Sequence, residues 1–258
     1  MDRLASTLRY LLTFCFHDTE GAAIPLAALT AVVGLYANDR LGLPQPWSPA
    51  TKPTPLLVYG GASAVGTYAI QLARRSNIHP LICVAGRAQE HVEKMIDRSK
   101  GDTVIDYRKG NEAVVQGIKD ALNGQKLEYA YDAVSESEKG SVGNIAKVID
   151  PKTGKSTFVL PPPGGGWTDR FPELPEGVHD SKTNVGSVHS DVKDLGYVYS
   201  RYFTRGLEEG WFRGQPTEVV PGGLGGVQKA LEKLKNGSAS AVKYVFRISE
   251  TEGAGSGQ

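Results

Sequence analysis

Cysteine is nearly absent. Cys15 and Cys83 are the only two, far apart and inside apolar runs, so neither a disulfide framework nor a Cys-rich zinc site can be built. That usage fits a reducing setting, and the cytoplasm is the expected compartment. The five histidines, His17, His79, His91, His179 and His189, show no H-x-x-x-H or clustered spacing, so no metal site is expected. An excess of charge is missing too: 29 Lys and Arg stand against 28 Asp and Glu, a net charge of +1. Without a global field, nucleic acid and anionic membranes are not expected partners, and a small-molecule substrate fits better. No apolar run is long enough for a membrane span. The stretch Tyr10 to Phe16 follows Arg3 and Arg9 but lacks a small-residue cleavage site, so it reads as a packed segment rather than a signal peptide.

What the chain does have is alternation. From Pro55 onward, short β-branched runs alternate with helix-length amphipathic stretches, the pattern of βαβ units around a parallel sheet. The expected strands are Leu56 to Tyr59, Leu81 to Ala85, Thr103 to Asp106, Glu128 to Ala133, Ser156 to Leu160 and Val185 to His189. Helices are expected from Ala64 to Ser76, Gln89 to Arg98, Asn111 to Leu122, Glu138 to Val148 and Asp194 to Phe212, with Gly124 and Gly214 placed to stop two of them. Six strands with crossovers predict an α/β fold, a doubly wound parallel (Rossmann) sheet in the order 3-2-1-4-5-6.

Upstream, Asp18 is placed to cap a helix through Ala22-Ala23-Ile24, and Pro25 with the apolar run Leu26 to Tyr36 predicts a second, largely buried helix. Downstream, Thr217 to Val220 reads as a strand, Leu224 to Lys235 as a helix ended by Asn236-Gly237, and Lys243 to Ile248 as a last strand. The expected division is 1–50 (N-terminal segment and linker helices), 51–214 (Rossmann domain), 215–248 (strand-helix-strand) and 249–258, a disordered tail with almost nothing to bury. Leu160 to Gly177, rich in Pro and Gly, is a loop, either a lid or a plain connector.

The run Tyr59 to Gly66 joins a buried strand to a helix through glycine. Such a turn lets backbone N–H groups at a helix N-terminus approach a pyrophosphate, where the helix dipole also favours negative charge. Gly60 and Gly61 make the turn, Ala62, Ser63 and Ala64 keep side chains small, and Gly66 permits close packing of helix on strand. NAD enzymes usually carry an acid after the second strand for the ribose 2′-OH, but here the run is Val84-Ala85-Gly86-Arg87. An arginine there attracts a 2′-phosphate, which tilts the cofactor to NADP(H). The alternative, that Arg87 is an ordinary exposed residue at a helix start, stands beside it.

The strings YGGASAVGTYAIQLA, VAGR, GDTVIDYRKG, YDAVSES and VKYVFRI, with AAIPLAALTAVVGLY upstream, resemble the medium-chain dehydrogenase/reductase superfamily. The likeness is to its quinone-reductase-like and fungal enoyl-reductase-like branch, from about Phe16 to Ile248. The resemblance implies that Gly61, Ala62, Ser63, Ala64 and Val65 form the pyrophosphate turn and that Arg87 takes the 2′-phosphate. It also implies that Tyr107 lies at the adenosine phosphate end, Val134 near the ribose, Leu160 and Pro161 at the nicotinamide edge, and Thr30 near the nicotinamide. Plainer readings exist for three of these: a half-buried tyrosine, sheet core, and a helix-interior hydroxyl bonded to its own backbone.

The GroES-like catalytic domain that opens family members has no counterpart in this sequence, while its C-terminal completion is expected at Thr217 to Ile248, so the fold carries N- and C-terminal remnants of a catalytic domain. No catalytic acid or nucleophile is assigned. Two functions follow as expectations. One is an NADPH-dependent oxidoreductase passing hydride to an enone, enoyl or quinone-like acceptor; the other is a catalytically silent NADP-binding or subunit-pairing protein. A homodimer is expected by resemblance, paired through an edge strand matched by Val185 to His189.

Overall fold

The computed structural model describes residues 18–136 and 140–254. These form two compact units, Ala28–Gly196 and a second that joins the chain up to Ala27 with the chain from Tyr197 onward. The divisions thus fall at 27/28 and 196/197 rather than at the expected 50/51 and 214/215.

The chain begins with α1 (Asp18–Ala23) and α2 (Pro25–Tyr36). Asp18 is already inside α1, not the cap before it. Pro25 opens α2, where a missing N–H costs nothing. The larger unit then runs β1 (Leu56–Tyr59), α3 (Ala64–Arg75), β2 (Leu81–Ala85), α4 (Gln89–Glu93), β3 (Thr103–Asp106), α5 (Asn111–Leu122), β4 (Tyr129–Asp132), α6 (Ser141–Ala146), β5 (Lys155–Phe158) and β6 (His179–Lys182). The strands form one parallel sheet in the order β3-β2-β1-β4-β5-β6, the doubly wound order expected from the alternation.

Every residue of β1 and β2 is buried, which is why both read as unbroken apolar runs: a parallel sheet is covered on both faces. On one face Leu57, Ile82 and Val84 join Val114, Ile118, Ile145 and Phe158 in the main core. Elsewhere α2 is fastened by Tyr131, whose hydroxyl donates to the Thr30 carbonyl at 3.0 Å while its ring lies against Gly34. A Cβ at Gly34 would stand 2.3 Å from Tyr131 Cε2, so α2 can approach β4 this closely only with glycine there. Cys83 is a buried free thiol whose ionisation burial pushes up, and Cys15 lies outside the described residues.

The sixth strand is the main correction. Val185–His189 is a short 3-10 helix, and the strand lies earlier, at His179–Lys182. Its sequence, HDSK, is polar and carries no β-branched residue. Tertiary contacts hold it instead. The Asp180–Lys182 pair is buried, Lys182 Nζ lies 5.0 Å from the centre of the Phe171 ring, and Ser181 Oγ donates to the Ser156 carbonyl at 3.0 Å. In the 3-10 turn, Val188 is buried against Gly196.

Other boundaries shift for local reasons. The helix expected to Arg98 stops at Glu93, and Asp97, accepting from the Ser99 N–H at 3.0 Å, opens a separate 3-10 turn over Arg98–Lys100. The helix expected from Glu138 begins, in the described residues, at Ser141; residues 137–139 lie outside them. In the loop from Leu160 to Gly177, Phe171 is fully buried against Phe158, ring centres 4.4 Å apart, and Arg170 donates to the Val178 carbonyl at 2.7 Å.

The smaller unit takes in most of α7 (Lys193–Glu208), β7 (Thr217–Val219), α8 (Val227–Lys235) and β8 (Lys243–Val245). Strands β7 and β8 pair in parallel with α8 as their crossover, the strand-helix-strand expected from the sequence. Gly210, at φ +76°, follows the end of α7; Gly214, the expected stop, instead donates its N–H to Glu20 at 2.9 Å. Phe203 stacks on Phe212 with ring centres 4.7 Å apart. Beyond β8 the expected disordered tail is placed as far as Ala254: Ile248–Glu250 make a 3-10 turn and Thr251 Oγ1 accepts from the Leu224 N–H at 3.0 Å. Residues 255–258 lie outside the described residues. Among the described residues, no helix is long and apolar enough to cross a membrane.

Candidate functional site

The turn between β1 and α3 folds back on its neighbour. Gly60, at φ +79°, and Gly61 both donate their N–H to the Val84 carbonyl, at 3.0 and 2.9 Å. Only glycine takes that φ without strain. Ser63 is the N-cap of α3: its Oγ accepts from the Gly66 N–H at 3.1 Å. Gly66 packs so tightly on the turn that a Cβ would lie 2.2 Å from the Gly60 carbonyl oxygen. The amides of Ala64 and Val65 donate to no protein acceptor among the described residues, as expected in the first turn of a helix. Two donors and the positive end of the helix dipole therefore face the loop.

The sequence-expected positions Gly61 to Val65, Arg87, Tyr107, Val134, Leu160 and Pro161 follow β1, β2, β3, β4 and β5 respectively. Because the sheet is parallel, all lie at its C-terminal edge, and β1 and β4 are where the strand order reverses. Val134 sits over the turn: a Cβ on Gly60 would meet Val134 Cγ2 at 2.4 Å. Tyr107 covers Gly86, where a Cβ would come within 2.5 Å of the ring. Arg87 and Leu160 are exposed and Pro161 is half-buried. Thr30 differs, being 6% exposed within α2, with its carbonyl accepting from Tyr131 and, at 3.4 Å, from Thr183.

Three groups at this edge had no reading as site residues in the sequence. Asp106, the last residue of β3, pairs in register with Ala85 and accepts from Arg108 Nε at 2.8 Å and Nη2 at 2.7 Å, which holds its carboxyl well below the usual carboxylate range. Asn144 donates to the Tyr59 hydroxyl at 3.1 Å and to Asn111 at 3.0 Å, tying α6 and α5 to β1. Asp132, fully buried at the end of β4, accepts the N–H groups of Val134 and Ser135 on Oδ1, at 2.9 and 2.8 Å. Ser135, at φ +53°, donates its hydroxyl to the Asp132 carbonyl and accepts the Val159 N–H, both at 3.0 Å. The D-x-x-S spacing is the one trace of this bracket legible in the sequence.

Burial pushes the Asp132 carboxyl up to about 6, against the Ser141 hydroxyl and the two backbone N–H groups that favour its charged form. Its Oδ2 is buried and closes no hydrogen bond, with the Ser141 hydroxyl nearby. A carboxyl whose proton is held more tightly in the folded state than in the unfolded chain, where its value is about 3.9, makes stability fall as pH rises from about 4 to about 6 and stay level above. Asp132→Asn removes that loss. The stability difference, variant minus wild type, should rise by up to about 3 kcal/mol from about pH 4 to about pH 7.5, read by denaturant unfolding at both values. A difference independent of pH would contradict it.

No profile of a known protein family matches the chain. A trans-enoyl reductase of Gibberella fujikuroi is 55% identical over 205 residues, covering 79% of this chain and 58% of that protein. This relative supports the resemblance of the chain to the enoyl-reductase-like proteins of the medium-chain dehydrogenase/reductase superfamily. The chain spans less than two thirds of that relative's length. Another trans-enoyl reductase, from Aspergillus japonicus, is 29% identical over 256 residues, 97% of this chain and 69% of that protein. Among solved structures, the CurK enoyl reductase matches with a TM-score of 0.64 at 16% identity, over 89% of this chain and 64% of its own. A mutant form of an enoyl thioester reductase from Candida tropicalis gives 0.63 at 18% identity, over 95% and 66%. At such identities the likeness is one of fold alone.

Proposed function

We propose that this chain is an NADPH-dependent oxidoreductase acting on an enoyl substrate. The observation that carries the reading is the cradle at the C-terminal edge of the sheet: three glycines that leave no room for side chains, two unpaired helix N–H groups and an arginine after β2. The cradle fits a dinucleotide. The amides of Ala64 and Val65, with Gly61, Ala62 and Ser63 around them, would hold the pyrophosphate, and Arg87 the 2′-phosphate, with Tyr107 over Gly86 forming the floor beside it. Val134, Leu160 and Pro161 would line the ribose and nicotinamide end, and Thr30 would support it from α2. When bound, NADPH supplies the hydride, and the chain's own part is to hold and orient it. The enoyl acceptor is inferred from the names of the relatives.

Titration of NADPH into the purified chain, followed by turnover of 2-enoyl thioesters on the same sample, tests the proposal. Saturable binding with steady NADPH oxidation is expected. Binding without turnover across the panel would favour the silent NADP-binding reading, and no binding would sink both. A homodimer and a cytoplasmic setting belong to the same proposal. Its pairing edge moves to β6, since Val185–His189 is a 3-10 turn.

A further inference from the structure

After β2 the chain carries an arginine and no acid, yet the fold brings an acid to that place from the next strand. Register pairs Asp106 with Ala85, the residue just before Gly86-Arg87. Tyr107, next to Asp106, lies on Gly86. The carboxylate therefore belongs to the same turn as Arg87. A bare carboxylate here would accept hydrogen bonds from a ribose diol and repel a 2′-phosphate. It is not bare. Arg108 takes Oδ1 at 2.8 Å and Oδ2 at 2.7 Å, with a third contact at 3.1 Å, and its backbone N–H reaches Oδ1 at 3.0 Å. Both oxygens are occupied in a bidentate pair, the geometry in which guanidinium and carboxylate bind most strongly.

We propose that the Asp106–Arg108 pair sets the choice between phosphorylated and unphosphorylated dinucleotide. Arg108 masks the acid that β3 delivers to the 2′ position, so that this acid does not repel the phosphate beside Arg87. This rests on the reading of the crevice as a dinucleotide site. Arg108 acts through Asp106 as a positioning residue and needs no contact with the cofactor. The Asp106 side chain is 12% exposed and that of Arg108 51%, so the mask sits at the surface, where a charge change alters binding more than folding.

The test compares NADPH and NADH dissociation constants at low ionic strength for the wild type, Arg108→Gln, and the double variant Asp106→Asn with Arg108→Gln. Arg108→Gln uncovers the carboxylate and should weaken NADPH about tenfold, the size of one like-charge repulsion across a partly screened turn, while NADH is unchanged or tighter. The double variant, which removes the charge along with its mask, should recover the wild-type preference. If the double variant stays as weak for NADPH as Arg108→Gln, Arg108 itself touches the phosphate and the proposal is overturned. Equal weakening of both cofactors in Arg108→Gln would reduce the pair to a loop brace, which also overturns it. A wild type that prefers NADH, or binds neither, overturns the NADP reading itself and this inference with it.

Discussion

Alanine at position 66 is expected to cost about 3 kcal/mol of stability and to abolish measurable NADPH binding. Gly66 needs no unusual backbone angle; its constraint is space. The new Cβ would stand 2.2 Å from the Gly60 carbonyl oxygen, 2.9 Å from its carbon and 3.0 Å from Gly61 Cα. All three are backbone atoms, so no side chain can swing aside. Relief requires α3 to lift from β1, which breaks the Ser63 cap on the Gly66 N–H and disturbs the paired bonds from Gly60 and Gly61 to Val84. Overpacking and loss of a helix cap each contribute on the order of 1–2 kcal/mol. Denaturant unfolding and NADPH titration of Gly66→Ala check the two parts. Wild-type stability in the variant would mean that the turn is looser than its contacts indicate.

Arg87→Ala should weaken NADPH by about 1.5–3 kcal/mol, roughly ten- to a hundredfold, with little effect on NADH. NADPH and NADH differ only in the 2′-phosphate, and a charged hydrogen bond to it has this magnitude. Arg87 is exposed, one residue beyond Gly86, so its removal leaves the sheet and its core untouched. Paired titrations of the variant settle the assignment. Equal losses for both cofactors would move the 2′-phosphate elsewhere and leave Arg87 as a helix-start residue.

The sheet was legible because its first two strands report their own burial and short runs alternate with helical stretches through the fifth. LLVY and LICVA are apolar throughout, as strands covered on both faces must be, and the glycines after the first mark the turn. The sixth strand was not legible because its burial is won by pairing rather than by side-chain character. Asp180 and Lys182 read as surface residues until the Phe171 ring and their mutual charge come into view, whereas Val185 and Val188 imitate a strand at helical spacing. The site divides in the same way. Residues that follow a strand in sequence, such as Ser63 and Arg87, could be placed from the order of elements. Asp106 could not, because it meets the turn after β2 across a register that only the paired strands define. The burial of Asp132 likewise becomes evident only with α6 packed nearby.

The Ser135 hydroxyl has a mechanical consequence. It closes a triangle with the Asp132 carbonyl and the Val159 N–H, and the same N–H also reaches that carbonyl at 3.2 Å. The chain after β4 and the chain after β5 are thereby riveted at one point just beyond the last ladder pair. Val134 and Leu160 stand on either side of the rivet, so the two walls of the crevice travel as one part. Whatever bends the first carries the second with it.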